Sequence, residues 1–127
     1  YGSLLGRAFQ LRDDILGVFG DPSITGKPAG DDIREGKRTL LVLTALENGN
    51  THQREILTSL LGAPGLTEED LTTAREIIET TGARNSCEEL IARSTADALT
   101  ALEGADMDAE GRSALITLAG LATDRDR

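Results

Sequence analysis

Apolar residues recur every three or four positions along most of this 127-residue chain, a spacing that is typical of α-helices. Between residues 4 and 19 this spacing predicts a helix with one buried face. The residues that form the face are Leu5, Ala8, Phe9, Leu16 and Phe19. No segment shows the strict alternation of apolar and polar residues that indicates a strand. We therefore predict an all-α fold, a helical bundle.

Turn-forming residues divide the rest of the pattern into five further predicted helices. The first, over 39–47, is strongly apolar, should be buried, and is closed by Asn48 and Gly49. The others cover 53–61, 67–81, 86–103 and 108–123, and Thr67 with Asp70 begins the second of these as a capping box. The last two carry apolar faces, formed by Leu90, Ile91, Ala98, Leu99 and Leu102 and then by Leu115, Leu118, Ala119 and Ala122.

Residues 20–36 interrupt the helical pattern, because they contain four glycines and two of the three prolines of the chain. So many helix breakers predict a long loop rather than a helix or a central strand. Ordered loops of this length in compact domains usually carry function. The segment is therefore the first place to look for a site.

Charge and composition narrow the classes of function. The net charge is -9, yet residues 1–39 balance six basic against six acidic residues, so the excess negative charge lies beyond residue 39. With no basic stripe and only three aromatic residues, nucleic acid is not an expected partner. No apolar run approaches the roughly 20 residues that span a bilayer. The single cysteine, Cys87, cannot form an internal disulfide, which favours a cytoplasmic location.

An acidic pair, Asp13 and Asp14, lies on the first predicted helix, with Gln10 one turn before it and Gly17 one turn after it. Mg²⁺ suits such a pair, because it binds one or two carboxylates and fills its other positions with water and phosphate oxygens. The alternative is a solvated acidic pair on the protein surface.

The loop holds both lysines of the chain, Lys27 and Lys37, while every other basic residue is arginine. A compact ammonium group in this loop could bind phosphate, although loop solubility would also explain it. Gly26 and Gly30 would let the backbone approach a ligand or simply form turns.

Other polar residues of the loop and chain are less specific. Asp31 and Asp32 could orient the lysines or a metal-bound water, or could cap the following turn. The only histidine, His52, is expected on the surface, and Cys87 is expected to fill a small space in the core.

Together these residues resemble the trans-isoprenyl diphosphate synthases, or polyprenyl synthetases. The pattern FQ-x-x-DD-x-L, then FGDP-S-x-TGK, then Gly and Asp before GK-x-T is similar to the second aspartate-rich region of that family and the loop behind it. A TGA turn at 81–83 and a last helix running into arginines add a weaker likeness. The resemblance implies a bundle of the isoprenoid synthase type, C-terminal part only, with the site on 1–39 and scaffold helices in 40–127.

The resemblance also assigns expected roles in metal binding and catalysis. Asp13 would bind Mg²⁺ directly, Asp14 would lie beside it, and Asp32 would hold a metal-bound water. Lys27 and Lys37 would bind the allylic diphosphate and neutralise its charge as it leaves, so that Asp13, Asp14 and the two lysines form the catalytic set.

The expected substrates follow from the same family. Phe9 would border isopentenyl diphosphate, and Gln10 would steady the site from one turn below. The implied reaction joins isopentenyl diphosphate to an allylic diphosphate and yields a longer polyprenyl diphosphate, such as farnesyl or geranylgeranyl diphosphate.

Two departures from the family pattern bear on activity. Gly17 stands where the DDxxD form of the motif has its last aspartate, and a first aspartate-rich motif is absent from these residues. Since the chain also begins with Tyr1, we expect a fragment that is inactive alone and that forms a homodimer or associates with a chain supplying the missing half. The alternatives are a non-catalytic subunit or relic of such a synthase, and a class I terpene cyclase, although cyclases usually lack the FGDP…TGK loop.

Overall fold

A computed structural model describes residues 2–20, 30–104 and 108–123, which form seven helices and no strand. In chain order the helices are α1 Gly2–Phe19, α2 Asp31–Glu35, α3 Leu40–Asn48, α4 Thr51–Leu60, α5 Glu68–Thr80, α6 Ala83–Glu103 and α7 Ala109–Thr123. The all-α prediction is confirmed. The predicted helix boundaries agree to within three residues.

Side-chain caps explain where the middle helices begin. The Thr39 hydroxyl accepts a hydrogen bond from the backbone N–H of Val42 at the start of α3. At the start of α5, Thr67 and Asp70 cap each other reciprocally, as the sequence predicts. A capping box that the sequence analysis missed, Asn50 with Gln53, moves the start of α4 from residue 53 to residue 51. Each box satisfies two backbone N–H groups that a helix start leaves unpaired.

The core lies between α1 and α6, the two longest helices, and extends over α2 to α5. Its members are nearly inaccessible apolar side chains, among them Leu11, Ile15, Val18, Ile33, Leu41, Val42, Leu57, Leu71, Ile78, Cys87 and Ile91. The expected placement of Cys87 in the core and of His52 on the surface is confirmed. Because one side of α1 is packed in the core, the residues on its opposite, polar side are held in fixed positions.

The predicted loop over 20–36 is only partly correct. Residues 21–29 lie outside the described residues, but residues 31–35 form helix α2. Its flanking glycines, Gly30 and Gly36, both have positive φ and end the helix on either side instead of preventing it. Burial of Ile33 in the core explains why so short a helix forms.

Two apolar segments are less buried than predicted. On α3, Leu40 and Leu43 are each 45% exposed, because only the opposite side of this helix faces the core. On α7, Ala119 is buried but Leu118 is 53% exposed. The two differ because neighbouring residues on a helix are rotated by about 100°. The side chain of Ala122 lies outside the described residues. No helix in the described part of the chain has the length and apolarity to cross a membrane.

Candidate active site

The polar face of α1 carries four of the residues singled out from the sequence. Gln10 donates a hydrogen bond from Nε2 to Oδ1 of Asp14 over 3.0 Å, one helical turn away. Asp13 is half-buried, whereas Asp14 is only 5% exposed. The prediction of Phe9 on the buried face of this helix is wrong: Phe9 is 39% exposed, which leaves much of its ring open to contact. The predicted contact of Gln10 with the acidic pair is therefore present.

Burial raises the pKa of the Asp14 carboxyl group above its ordinary value of 3.8. The hydrogen bond from Gln10 and the positive charge of Lys37 oppose this rise in pKa, while the negative charge of Asp13 adds to it. A carboxyl group in this position is therefore costly to ionise. A nearby cation, either an ammonium group or a metal ion, would therefore stabilise its charged form.

Helix α2 and the segment after it bring Asp32 and Lys37 to α1. Lys37 is exposed, its charge acts on Asp14, and its backbone N–H donates to the carbonyl oxygen of Asp32 over 2.9 Å. Asp32 is 6% exposed, and its carboxylate lies directly against the backbone of Gly17. Lys27 and Gly26 lie outside the described residues.

Asp31, Asp32 and Glu35 form an acidic cluster whose carboxylate oxygens lie within 4.8 Å of one another. The part of Glu35 in this cluster was not predicted, because its spacing of three or four residues from Asp32 and Asp31 brings side chains together only on a helix. Gly30, and neither Asp31 nor Asp32, occupies the N-cap position of α2. Among the described residues, Asp13 and Asp14 do not join Asp32 in a comparable cluster.

The side of the acidic pair that faces the core lies against α6. Cys87 is 2% exposed, and burial followed by the charges of Asp14 and Glu88 raises the pKa of its thiol. Next to it, Arg12 binds both carboxylate oxygens of Glu88, at 2.6 and 2.9 Å. These contacts join residues 76 positions apart, so no local pattern in the sequence could have predicted them.

The residues present fit a hard divalent cation. Asp13, Asp14 and Asp32 offer carboxylate oxygens, the donors that Mg²⁺ prefers, and no softer donor lies at the open side of α1 among the described residues. Among the described residues the three carboxylates do not form one tight cluster, so one or two of them would bind an ion directly, and Mg²⁺ needs no more when water and phosphate oxygens supply its other ligands.

The known proteins that this chain is similar to are polyprenyl synthetases and isoprenyl diphosphate synthases. Residues 1–78 match the model of the family described as polyprenyl synthetase. The chain is 49% identical over 87 residues to a geranylfarnesyl diphosphate synthase of Aeropyrum pernix, covering 68% of this chain and 26% of that protein. It is 38% identical over 129 residues to a short chain isoprenyl diphosphate synthase of Methanothermobacter thermautotrophicus, covering 99% of this chain and 38% of that protein.

A solved structure shares the fold. It is a geranylgeranyl pyrophosphate synthase from Corynebacterium glutamicum complexed with isoprenyl diphosphate and magnesium, with a TM-score of 0.91 and 44% sequence identity over 99% of this chain and 36% of that one. The chain thus spans between about a quarter and two fifths of the length of these relatives.

Proposed function

The chain belongs to the polyprenyl synthetase family, and we propose that it is the C-terminal part of a Mg²⁺-dependent prenyltransferase. The reaction joins isopentenyl diphosphate to an allylic diphosphate and gives a longer polyprenyl diphosphate. The observation that carries this proposal is that Lys37, on the segment that follows α2, lies close enough to α1 for its charge to lower the pKa of Asp14.

The proposed roles divide the site into metal-binding and diphosphate-binding groups. Asp13, on the more open side of α1, would bind Mg²⁺ directly, with Asp14 beside it and Asp32 reaching the ion through water. When bound, Mg²⁺ would neutralise the negative charge that develops on the diphosphate as the allylic C–O bond breaks. Lys27 and Lys37 would hold the same diphosphate from the loop side.

Neighbouring residues would prepare these groups before substrate arrives. The bond from Gln10 fixes the Asp14 carboxylate in one orientation, and the packing of Cys87 behind it keeps water from that side. Phe9 would border isopentenyl diphosphate with its exposed ring. Preorganised charge aimed at a leaving group is the main requirement of this reaction class.

We also infer how the chain is organised, its oligomeric state and its location. We place residues 1–39 as the site-bearing part and residues 40–127 as scaffold, with α6 supporting the acidic pair from behind. Exposed Leu40 and Leu43 support association, either as a homodimer or with the remainder of a synthase. The free thiol of Cys87 supports a cytoplasmic location.

Replacing Asp13 in the full-length protein that contains this chain tests the proposal. Incorporation of labelled isopentenyl diphosphate into an allylic diphosphate should require Mg²⁺ and should stop with a chelator. Asp13→Ala should lower kcat/KM by at least about 100-fold, the effect of removing one group that stabilises transition-state charge.

Asp97→Ala is the matched control, because Asp97 is an exposed acid about 15 Å along α6 from Cys87 and should leave the rate unchanged. Activity that survives Asp13→Ala would remove the site assignment. The chain alone should be inactive. If the full-length protein is inactive alone but restores activity to a partner, it is a non-catalytic subunit. If its products are hydrocarbons or alcohols, it is a cyclase.

A further inference from the structure

Gly17 and Asp32 are in direct contact across α1 and α2. A Cβ atom placed on Gly17 would overlap Cγ and Oδ2 of Asp32 and would lie 2.9 Å from Oδ1. Both residues are buried. The carboxylate of Asp32 therefore occupies the space that a side chain at position 17 would fill.

Asp32 has little freedom to move away. Its neighbour Ile33 is fully buried, and the Ile33 carbonyl accepts a hydrogen bond from the Gly62 N–H over 2.9 Å. The Asp32 carbonyl accepts from Lys37 over 2.9 Å. Because the backbone of α2 is held by the burial of Ile33 and by the bond from Gly62, a side chain at position 17 would displace the carboxylate itself.

We propose that Gly17 is a positioning residue that admits the carboxylate of Asp32 to the acidic face of α1. This inference rests on the proposed function, because the carboxylate of Asp32 would then serve the metal-binding pair from one turn further along α1. Gly17 follows Asp13 and Asp14 by one turn, so Asp32 reaches the helix about 5 Å further along its axis than the pair. The third carboxylate in this proposal, held at Gly17, is thus supplied by α2 and not by α1.

This arrangement reverses the expectation drawn from the motif alone. If Gly17 were a degenerate position, Gly17→Asp would restore an acidic residue and improve metal binding. Since Asp32 already fills that space, Gly17→Asp should instead displace it and weaken the site.

The first experiment compares two glycines of α1 in the full-length protein. Alanine favours a helix more than glycine does, and a Cβ at Gly6 would meet no heavy atom within 4 Å. Gly6→Ala should therefore keep or raise the melting temperature and leave metal affinity unchanged. Gly17→Ala should lower the melting temperature by about 2–4 °C or more. Affinity for Mn²⁺, measured by electron paramagnetic resonance with inorganic pyrophosphate present, should fall about tenfold.

The second experiment tests the shared space directly. Gly17→Asp and Asp32→Ala should each weaken Mn²⁺ binding about tenfold. The double variant should bind Mn²⁺ more tightly and melt higher than Gly17→Asp alone, since the new carboxylate then has room. Tighter binding by Gly17→Asp alone, or equal effects of Gly17→Ala and Gly6→Ala, would overturn the inference. Melting temperatures and Mn²⁺ binding need no turnover, so an inactive protein with these responses would refute only the proposed prenyl transfer.

Discussion

Asp13 and Asp14 are adjacent in the chain but differ in their surroundings. Asp13 is half-buried, while Asp14 is nearly inaccessible and is bonded to Gln10. On a helix, neighbouring residues are rotated by about 100°, so one carboxylate can face inward while the other stays open to a ligand. The acidic pair therefore consists of one accessible group and one that is held in place.

Charging Asp14 should cost stability at neutral pH. Because the pKa of this carboxyl group is raised on folding, the folded protein binds the proton more tightly than the unfolded chain. The free energy of unfolding should thus fall as the pH rises from 3.8 through the raised pKa, and the loss persists at higher pH. Asp14→Asn keeps an oxygen acceptor for Gln10 and removes this cost.

Denaturant unfolding at pH 4 to 8 without divalent cations measures this effect. Asp14→Asn should be more stable than the wild type at pH 7, and its stability should vary less with pH. Asp13→Asn is the control, since it makes the same change at the neighbouring residue, which is only half-buried. A lower stability of Asp14→Asn at pH 7 would show that the buried charge is fully compensated by its neighbours.

At the scale of the helix, α2 depends on close backbone contacts. A five-residue helix is not stable by itself. Gly36, which ends α2, has φ of 71°, and a Cβ at this position would lie 3.1 Å from the Cα of Gly62. Arg34 adds a hydrogen bond to the Leu66 carbonyl at 3.2 Å. The turn between α4 and α5 thus sets the position of α2 and of Lys37.

Gly36 and Gly65 have the same backbone conformation, so their alanine variants separate the cost of backbone strain from the cost of close contact. Gly65 has φ of 71°, as Gly36 does, but a Cβ at Gly65 would have open space around it. Gly65→Ala should lower the free energy of unfolding by about 1–2 kcal/mol, the cost of a left-handed backbone. Gly36→Ala should lower it by about 1 kcal/mol more, because crowding against Gly62 adds to that cost. Equal losses in chemical denaturation would show that the contact between Gly36 and Gly62 is loose.

The sequence predicted those parts of the fold and site that depend on local spacing. Gln10 and Asp14 share a face because they are four residues apart, and the capping box of Thr67 and Asp70 is equally local. Helix α2 was missed because its stability comes from the burial of Ile33, which no neighbouring residue signals. The contact between Gly17 and Asp32 depends on how α1 and α2 pack, so the motif alone could not predict it.

At the scale of the whole molecule, the chain exposes apolar surface on α3. Leu40 and Leu43 are three residues apart and each is 45% exposed, so they lie together on the outer face of that helix. The chain spans about a quarter to two fifths of the length of its relatives. Such a face is expected to associate with another surface.

The chain produced alone should therefore self-associate through α3. Sedimentation velocity should show a mean mass that rises with protein concentration. The double variant Leu40→Gln with Leu43→Gln should shift the distribution towards monomer, because each substitution removes roughly 1.5–3 kcal/mol of apolar burial from the contact. Ala101→Gln, at an exposed position on α6, is the control and should leave the distribution unchanged. If the wild-type chain is monomeric at every concentration, the α3 face is not sufficient for association, and the proposed homodimer would need a different surface.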